Sequence, residues 1–496
     1  MSVDTEPSGE NCEAGGLAIS SGLDANGDGQ LQLDEITSTE YLCNGVSGHS
    51  SLLSTTDEPA GDNCPQGGFL IESGIDINDN GTLESEEVQV SQYLCTSNGF
   101  AVRVSSALPG EDCPTGGIRI ETGLDVDKDG VLDDDEVEQV QYACNPVLTS
   151  IQAAVLFTCS LKTDGTVWCW GNNELGQMGA GYSGAAQPIG IVALTKNAVS
   201  LSCRVGHVCA ATADGSAWCW GNNGNGQLGD GTNQEKNIPV QVSSLTDALS
   251  VAAGLRHSCA LKTDGTVWCW GNNIYGQLGD GSNSSKSTPV QVVSLTDIVS
   301  LASGTNHSCA LKTDGTVWCW GYSDGGALGD GTNEGGQTPV QVSSLSDVVL
   351  VDTGDEYSCA VKADGTAWCW GNNYSGQLGD GSTDSSNTPV RVSSLTDVAL
   401  LSGGFQHTCA VKTDGTVWCW GMNDDGQLGN GSNMQQTTPL KLSLIDQVAA
   451  ISSGGNHTCA VKTDGTGWCW GGNANGQLGT GTHVDSATPV MVGGQF

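Results

Sequence analysis

The chain has 496 residues, of which 56 are Asp or Glu and 16 are Lys or Arg, giving a formal net charge of −40. That balance excludes nucleic acid as a partner, since phosphate binding needs a basic face, and it favours divalent cations. Twenty-one cysteines, mostly in regular pairs, argue for an oxidising compartment, and no apolar run is long enough to span a membrane.

The acid is concentrated at the start. Residues 1–145 hold 29 Asp or Glu and 3 Lys or Arg, a net of −26; the other 351 residues hold 27 and 13, a net of −14. The first part divides into three copies of one unit, at 1–48, 49–98 and 99–145. Each runs C-x-x-G-G, a short strand, D-x-[DN]-x-[DN]-G, an acidic helix and a second cysteine. The cysteines lie 31 positions apart in every copy, so pairing within a unit is the simplest connectivity: Cys12–Cys43, Cys64–Cys95 and Cys113–Cys144.

The acidic loops match the calcium loop of the EF-hand. In the first, Asp24, Asn26 and Asp28 offer side-chain oxygens, Gln30 its carbonyl and Glu35 both carboxylate oxygens, with Gly29 at the sharp turn. The second supplies Asp76, Asn78, Asn80, Thr82 and Glu87; the third supplies Asp125, Asp127, Asp129, Val131 and Glu136. Three matches at one offset from a cysteine predict about three Ca2+ ions, held weakly, on the order of 0.1–1 mM as in extracellular modules. Gly16–Ser21 reads as a strand, which makes each unit a strand-loop-helix module. Strands also precede modules two and three, at Ser51–Leu53 and Ala101–Val104. Module one has only Met1–Pro7 there, so a neighbouring copy is expected to supply its strand and build a filament. Met1-Ser2-Val3-Asp4 lacks a basic, apolar leader, and the chain reads as one trimmed of its export signal. The unit resembles uncharacterised modules found beside adhesive domains in exported bacterial proteins.

From residue 146 a second repeat of 50 residues runs to 496. Its signature is H-[ST]-C-A-[LV]-K-[TA]-D-G-T-x-W-C-W-G, then N-N-x-x-G-Q-L-G-D-G, then P-V-x-V. In the third copy, Thr263-Asp264-Gly265 suits a type I turn closed by a left-handed glycine. That turn sets Cys259 opposite Cys269, Ala260 opposite Trp268 and Ser258 opposite Trp270. Opposed cysteines on antiparallel strands are within disulfide reach. The predicted bridges are Cys159–Cys169, Cys209–Cys219, Cys259–Cys269, Cys309–Cys319, Cys359–Cys369, Cys409–Cys419 and Cys459–Cys469. Cys203 is left over as a free thiol at a position where other copies carry small residues. Four strands per unit and seven units make a propeller. The first unit has no P-V-x-V strand before it, so the C-terminal strand Pro489–Val492 is expected to complete the first blade and lock the ring.

Asp314-Gly315-Thr316-Val317-Trp318-Cys319-Trp320-Gly321 and the recurring G-Q-L-G strings resemble the regulator-of-chromosome-condensation repeat family over residues 146–496. The resemblance implies a seven-bladed propeller. The family's functions include nucleotide exchange on a small GTPase and, in secreted bacterial members, enzyme inhibition. The paired cysteines are similar to the secreted bacterial branch.

The fold class is therefore mainly β: a seven-bladed propeller preceded by three small disulfide-stapled calcium modules. No Ser/His/Asp set, nucleophilic cysteine or phosphate loop stands out, which argues against an enzyme. The histidines at 207, 257, 307, 407 and 457 give way to Phe157 and Tyr357 in the other copies, as packing residues would. Residues that vary between near-identical units are candidates for a binding face: Arg256, Asn306, Glu356, Gln406 and Asn456, with Leu175, Tyr275, Tyr374 and Asp425 nearby in sequence. The expectation is an extracellular or cell-surface protein of bacterial type, structural or adhesive, self-assembling into filaments. The alternative is a secreted propeller that binds or inhibits a specific protein or glycan.

Overall fold

The computed structural model describes residues 147–194 and 197–493 and, before them, the backbone of nine strands together with Leu132 and Asp134. Those nine strands form three antiparallel three-stranded sheets. The first holds Ser2–Glu6, Gly16–Gly22 and Ile36–Cys43; the second Ser50–Glu58, Gly68–Asp76 and Val88–Cys95; the third Phe100–Ala107, Gly117–Leu124 and Val137–Cys144. One register recurs, with Gly16 opposite Glu6 and Cys43, Gly68 opposite Glu58 and Cys95, and Gly117 opposite Ala107 and Cys144.

Two expectations are corrected here. The segment ending at the second cysteine is a strand, not a helix. Val88-Gln89-Val90 and Val137-Glu138-Gln139-Val140 bring β-branched residues whose stiff χ1 suits a pleated ladder better than a helix. Module one also has its own first strand, because Ser2–Glu6 pairs with Gly16–Gly22. It needs none from a second copy.

The propeller follows as seven four-stranded antiparallel sheets, each built from strands consecutive in sequence. Blade three is Ala248–Ala253, His257–Lys262, Val267–Gly271 and Lys286–Gln291. Its register places Cys259 opposite Cys269, Ala260 opposite Trp268 and Ser258 opposite Trp270. The turn closes by Gly265 N donating to Lys262 O at 3.0 Å, with Gly265 at φ +77°. All seven predicted propeller disulfides are present, buried, with Cα–Cα separations of 4.0–4.1 Å.

The ring does not close by strand exchange. The C-terminal strand Ser486–Met491 pairs with Gly467–Gly471 in blade seven. Blade one has its own fourth strand, Gly184–Leu194. The P-V-x-V strand follows its blade in the chain, so no place was open in the first. Closure uses the side-chain layer that joins every neighbouring pair. Leu148, Ile151 and Trp170 of blade one pack with Cys459, Cys469, Leu478 and Val492 of the last repeat.

That layer explains the repeat. The second Trp of each W-C-W is fully buried and its Nε1 donates to a carbonyl of the preceding blade, as Trp270 does to Gln227 O at 2.8 Å. The circle is completed by Trp170 donating to Gln477 O at 3.0 Å. The last glycine of G-Q-L-G makes the approach possible: a Cβ on Gly279 would lie 2.9 Å from the Trp320 ring. Beside it the recurring histidine reaches forward one blade, His207 Nε2 lying 2.8 Å from Ser258 Oγ. Ser258 Oγ donates to Gln227 O, so the hydroxyl must accept from Nε2 and the ring is the neutral Nε2–H tautomer.

Candidate functional site

In such a blade the first-to-second and third-to-fourth connections share one end, the loop face, and the tight Asp-Gly turns share the other. The five variable residues Arg256, Asn306, Glu356, Gln406 and Asn456 all fall on the loop face, at the same corner of five successive blades. Their carbonyls accept from Asn272 N, Tyr322 N, Asn372 N, Met422 N and Gly472 N at 2.8–2.9 Å. The backbone is thus fixed by one repeated bond while the side chain is free to differ.

The longer loops are rigid for a related reason. Asn273 Oδ1 accepts from Leu278 N at 2.9 Å, and its Nδ2 donates to Asp280 Oδ1, Ser282 O and Ser284 O. The Asn amide satisfies the centre of the Gly-Asp-Gly turn from within. Blade four departs from this plan, with Ser323 replacing the Asn and Tyr322 standing where blade three has Asn272.

Across blades three to five the variable side chains form one cluster. The Tyr275 and Tyr322 rings lie 4.8 Å apart, and Tyr322 Oη donates to Asp324 Oδ2 at 3.2 Å. Burial and then the nearby Asp324 and Glu356 carboxylates push the Tyr322 hydroxyl up to about 12. Glu356 is raised from the usual carboxylate value, first by burial and then by Asp355. Tyr374 is 76% exposed, and Ser375 Oγ donates to Gln406 Oε1 at 3.0 Å, extending the cluster to blade six. Of the residues singled out from sequence, Glu356, Gln406, Tyr275 and Tyr374 belong to it. Leu175 lies on blade one, and Asp425 lies on blade six with the Asp485 and Asp424 carboxylates near it. Tyr322, Asp324 and Asp355 were missed, although the break in the N-N string at Tyr322 was visible.

The axis of the propeller is crossed by a side chain. Arg204 stands where five blades have glycine, and its Nη1 donates to Ser303 O and Thr353 O, two and three blades away, at 3.3 Å each. Burial lowers its pKa, opposed by Asp355 and Asp352. Asp352 is itself raised to about 6, chiefly by burial, and accepts from Gly403 N at 2.9 Å. The recess left beside Arg204 and Phe405 is small. Cys203 is buried as a free thiol, its Sγ donating to Gln152 O at 3.3 Å, with its pKa raised by burial.

The calcium-loop residues and the cysteine pairs Cys12–Cys43, Cys64–Cys95 and Cys113–Cys144 lie outside the described residues, except that Asp76 ends a strand and Cys43, Cys95 and Cys144 end others. The edge of the third loop is described. Arg103 binds the buried Glu121 at 2.6 Å and reaches Leu132 O at 3.1 Å and Asp134 at 2.7 Å. It ties the loop's exit to the sheet. Among the described residues no group of His, Cys, Asp and Glu is placed to hold a metal, and no helix is long and apolar enough to cross a membrane.

Comparison with known proteins agrees with this architecture. The RCC1-like domain matches residues 121–408, and the regulator of chromosome condensation (RCC1) repeat matches 414–461. The chain belongs to the RCC1-like domain family. Its N-terminal part matches a domain of unknown function (DUF7151) over residues 1–43 and 50–95. Human WBSCR16 superimposes with a TM-score of 0.60 at 26% identity, covering 66% of this chain and 94% of that one. Yeast RCC1 (Prp20), in its complex with Kap60, gives 0.60 at 21% identity, covering 70% and 84%. No curated protein matches the sequence. The chain is an RCC1-type propeller, and its seven buried disulfides suit an oxidising environment.

Proposed function

We propose that this RCC1-like protein is an extracellular adhesive or structural surface protein of bacterial type, whose propeller is a rigid head for one protein or glycan partner. The observation that carries the reading is the placement of all five variable residues on the loop face, where Glu356 and Gln406 belong to a cluster with exposed tyrosines. The strand that module one was to borrow is its own, so the reading rests on partner binding and not on a filament. It is a binding protein and not an enzyme.

The test is capture from the native environment with the full-length chain, against a Tyr275→Ala/Tyr374→Ala variant. One partner retained in a 1:1 complex by the first and released by the second is the expected result. Equal capture by both would overturn the reading.

The N-terminal modules are proposed to hold about three Ca2+ ions in the loops that begin at Asp24, Asp76 and Asp125. Three dications would offset part of a net −26. Melting with and without a chelator should lower the N-terminal transition and leave the propeller transition in place. An unmoved N-terminal transition would remove calcium from the account.

A further inference from the structure

The charge of the loop face is unevenly distributed. The loop segments 254–256, 272–286, 304–306, 322–336, 354–356, 372–386, 404–406 and 422–436 of blades three to six carry ten Asp or Glu against two basic residues, Arg256 and Lys286, both on blade three; blades four to six hold nine of the acids and no Lys or Arg. The turn end of the same blades is different: the Asp of each Asp-Gly turn follows a lysine by two positions, as Asp314 follows Lys312, Asp364 follows Lys362 and Asp414 follows Lys412, and Lys412 Nζ also lies 3.6 Å from Asp397. On the loop face Asp355 lies near the Arg204 guanidinium, whereas among the described residues Asp324 and Glu356 form no ion pair.

Aromatic surface is interleaved with that charge. Tyr322 and Asp324 share a hydrogen bond, Tyr275 packs at a tilt of 55° against Tyr322, and Tyr374 stands exposed one blade further on. Rigid tyrosine rings between fixed carboxylates suit a flexible cationic side chain, whose stem lies on the ring while its head meets the acid. The carboxyl of Glu356 is raised partly by Asp355 and Asp324, so the acids there repel one another. An incoming cation relieves that repulsion. The N-terminal modules of a second copy carry the same sign of charge and are a poor occupant.

We infer that the loop face of blades three to six is a docking surface for a lysine- or arginine-rich segment of a protein partner, the tyrosines Tyr275, Tyr322 and Tyr374 receiving its side chains between Asp324, Asp355 and Glu356. This names the partner class for the face proposed above and rests on that reading. Binding is steered by charge and weakens with salt.

Fluorescence anisotropy of a labelled lysine- and arginine-rich peptide, titrated with the full-length chain in saturating calcium, tests it. Two variants separate the face from general acidity. One neutralises the loop face (Asp324→Asn/Asp355→Asn/Glu356→Gln); the other neutralises three turn acids (Asp264→Asn/Asp314→Asn/Asp364→Asn). Melting temperatures confirm that both fold. The loop variant, and separately Tyr275→Ala/Tyr374→Ala, should weaken binding by about tenfold or more, and the turn variant by less than about twofold. Equal weakening by both neutralised variants, or by neither, overturns the inference. If a native partner is captured through Tyr374 yet is not displaced by the peptide, the face stands and the cationic class falls. A glycan or a divalent cation as occupant would give that result. Loss of Tyr374 dependence for the native partner would instead remove the face itself.

Discussion

The layer between blades and the loop face above it are built from the same repeat, yet one is nearly uniform around the ring and the other is not. Burial accounts for the difference. Between blades, each Trp must meet a carbonyl and each His a hydroxyl in a space closed to water, where an unmet polar group costs about 1–3 kcal/mol. On the loop face only the backbone is fixed, and side chains are free to change. The contrast is sharpest where the buried layer itself varies. Blade one has Phe157 in place of His, and blade two has Val208 in place of Ser. Polar partners thus disappear together, and no donor is left alone. Tyr357 keeps the polar version, its Oη donating to His407 O at 2.6 Å.

Several substitutions should break or sharpen this contrast. Trp320→Ala should have the largest effect, about 3–5 kcal/mol of stability by denaturant unfolding, from the cavity and the orphaned Gln277 carbonyl. A loss below 1 kcal/mol would mean that the layer does not hold the ring. Gly279→Ala should cost about 1–3 kcal/mol, since φ is +65° and the new methyl meets Trp320.

The histidines predict acid sensitivity. Burial holds His207 down to about 4 and His257, His307, His407 and His457 to about 3. The unfolded chain therefore takes up protons first as pH falls. Stability present above about 6.5 should be lost progressively between there and about 3. Replacing His307 and Ser358 by Phe and Val, the pair nature uses at Phe157 and Val208, should remove one of five proton-uptake steps. A plot of unfolding free energy against pH with an unaltered slope would refute this account of the layer. Smallest of all, Tyr374→Ala should change stability by less than about 0.5 kcal/mol while weakening partner capture.

Much of the propeller was legible from the chain alone because its contacts are local. The Thr263-Asp264-Gly265 turn sets the hairpin register, and the register sets the disulfide. The errors came where partners are chosen between segments. Whether Pro489–Val492 joins the first blade or the last depends on which blade its repeat completes, and spacing by 50 is silent on that. The helix expected after each acidic loop was read from its charge, while Val137–Cys144 is a strand because a neighbouring strand satisfies its backbone. Among the face residues, Tyr374 announced itself by varying. Asp324 became part of the site only when blades four and five brought it beside Glu356, whereas Asp355 is Glu356's neighbour in the chain.

The sequence by itself determined the number of blades, the staple in each and the acidic character of the first 145 residues. Period, turn chemistry and cysteine spacing are short-range properties, written within a few residues of one another. The tertiary structure alone decided how the ring closes, that Arg204 crosses the axis and that scattered variable residues share one face. Those outcomes depend on which distant groups meet when each blade buries its tryptophan against the one before it.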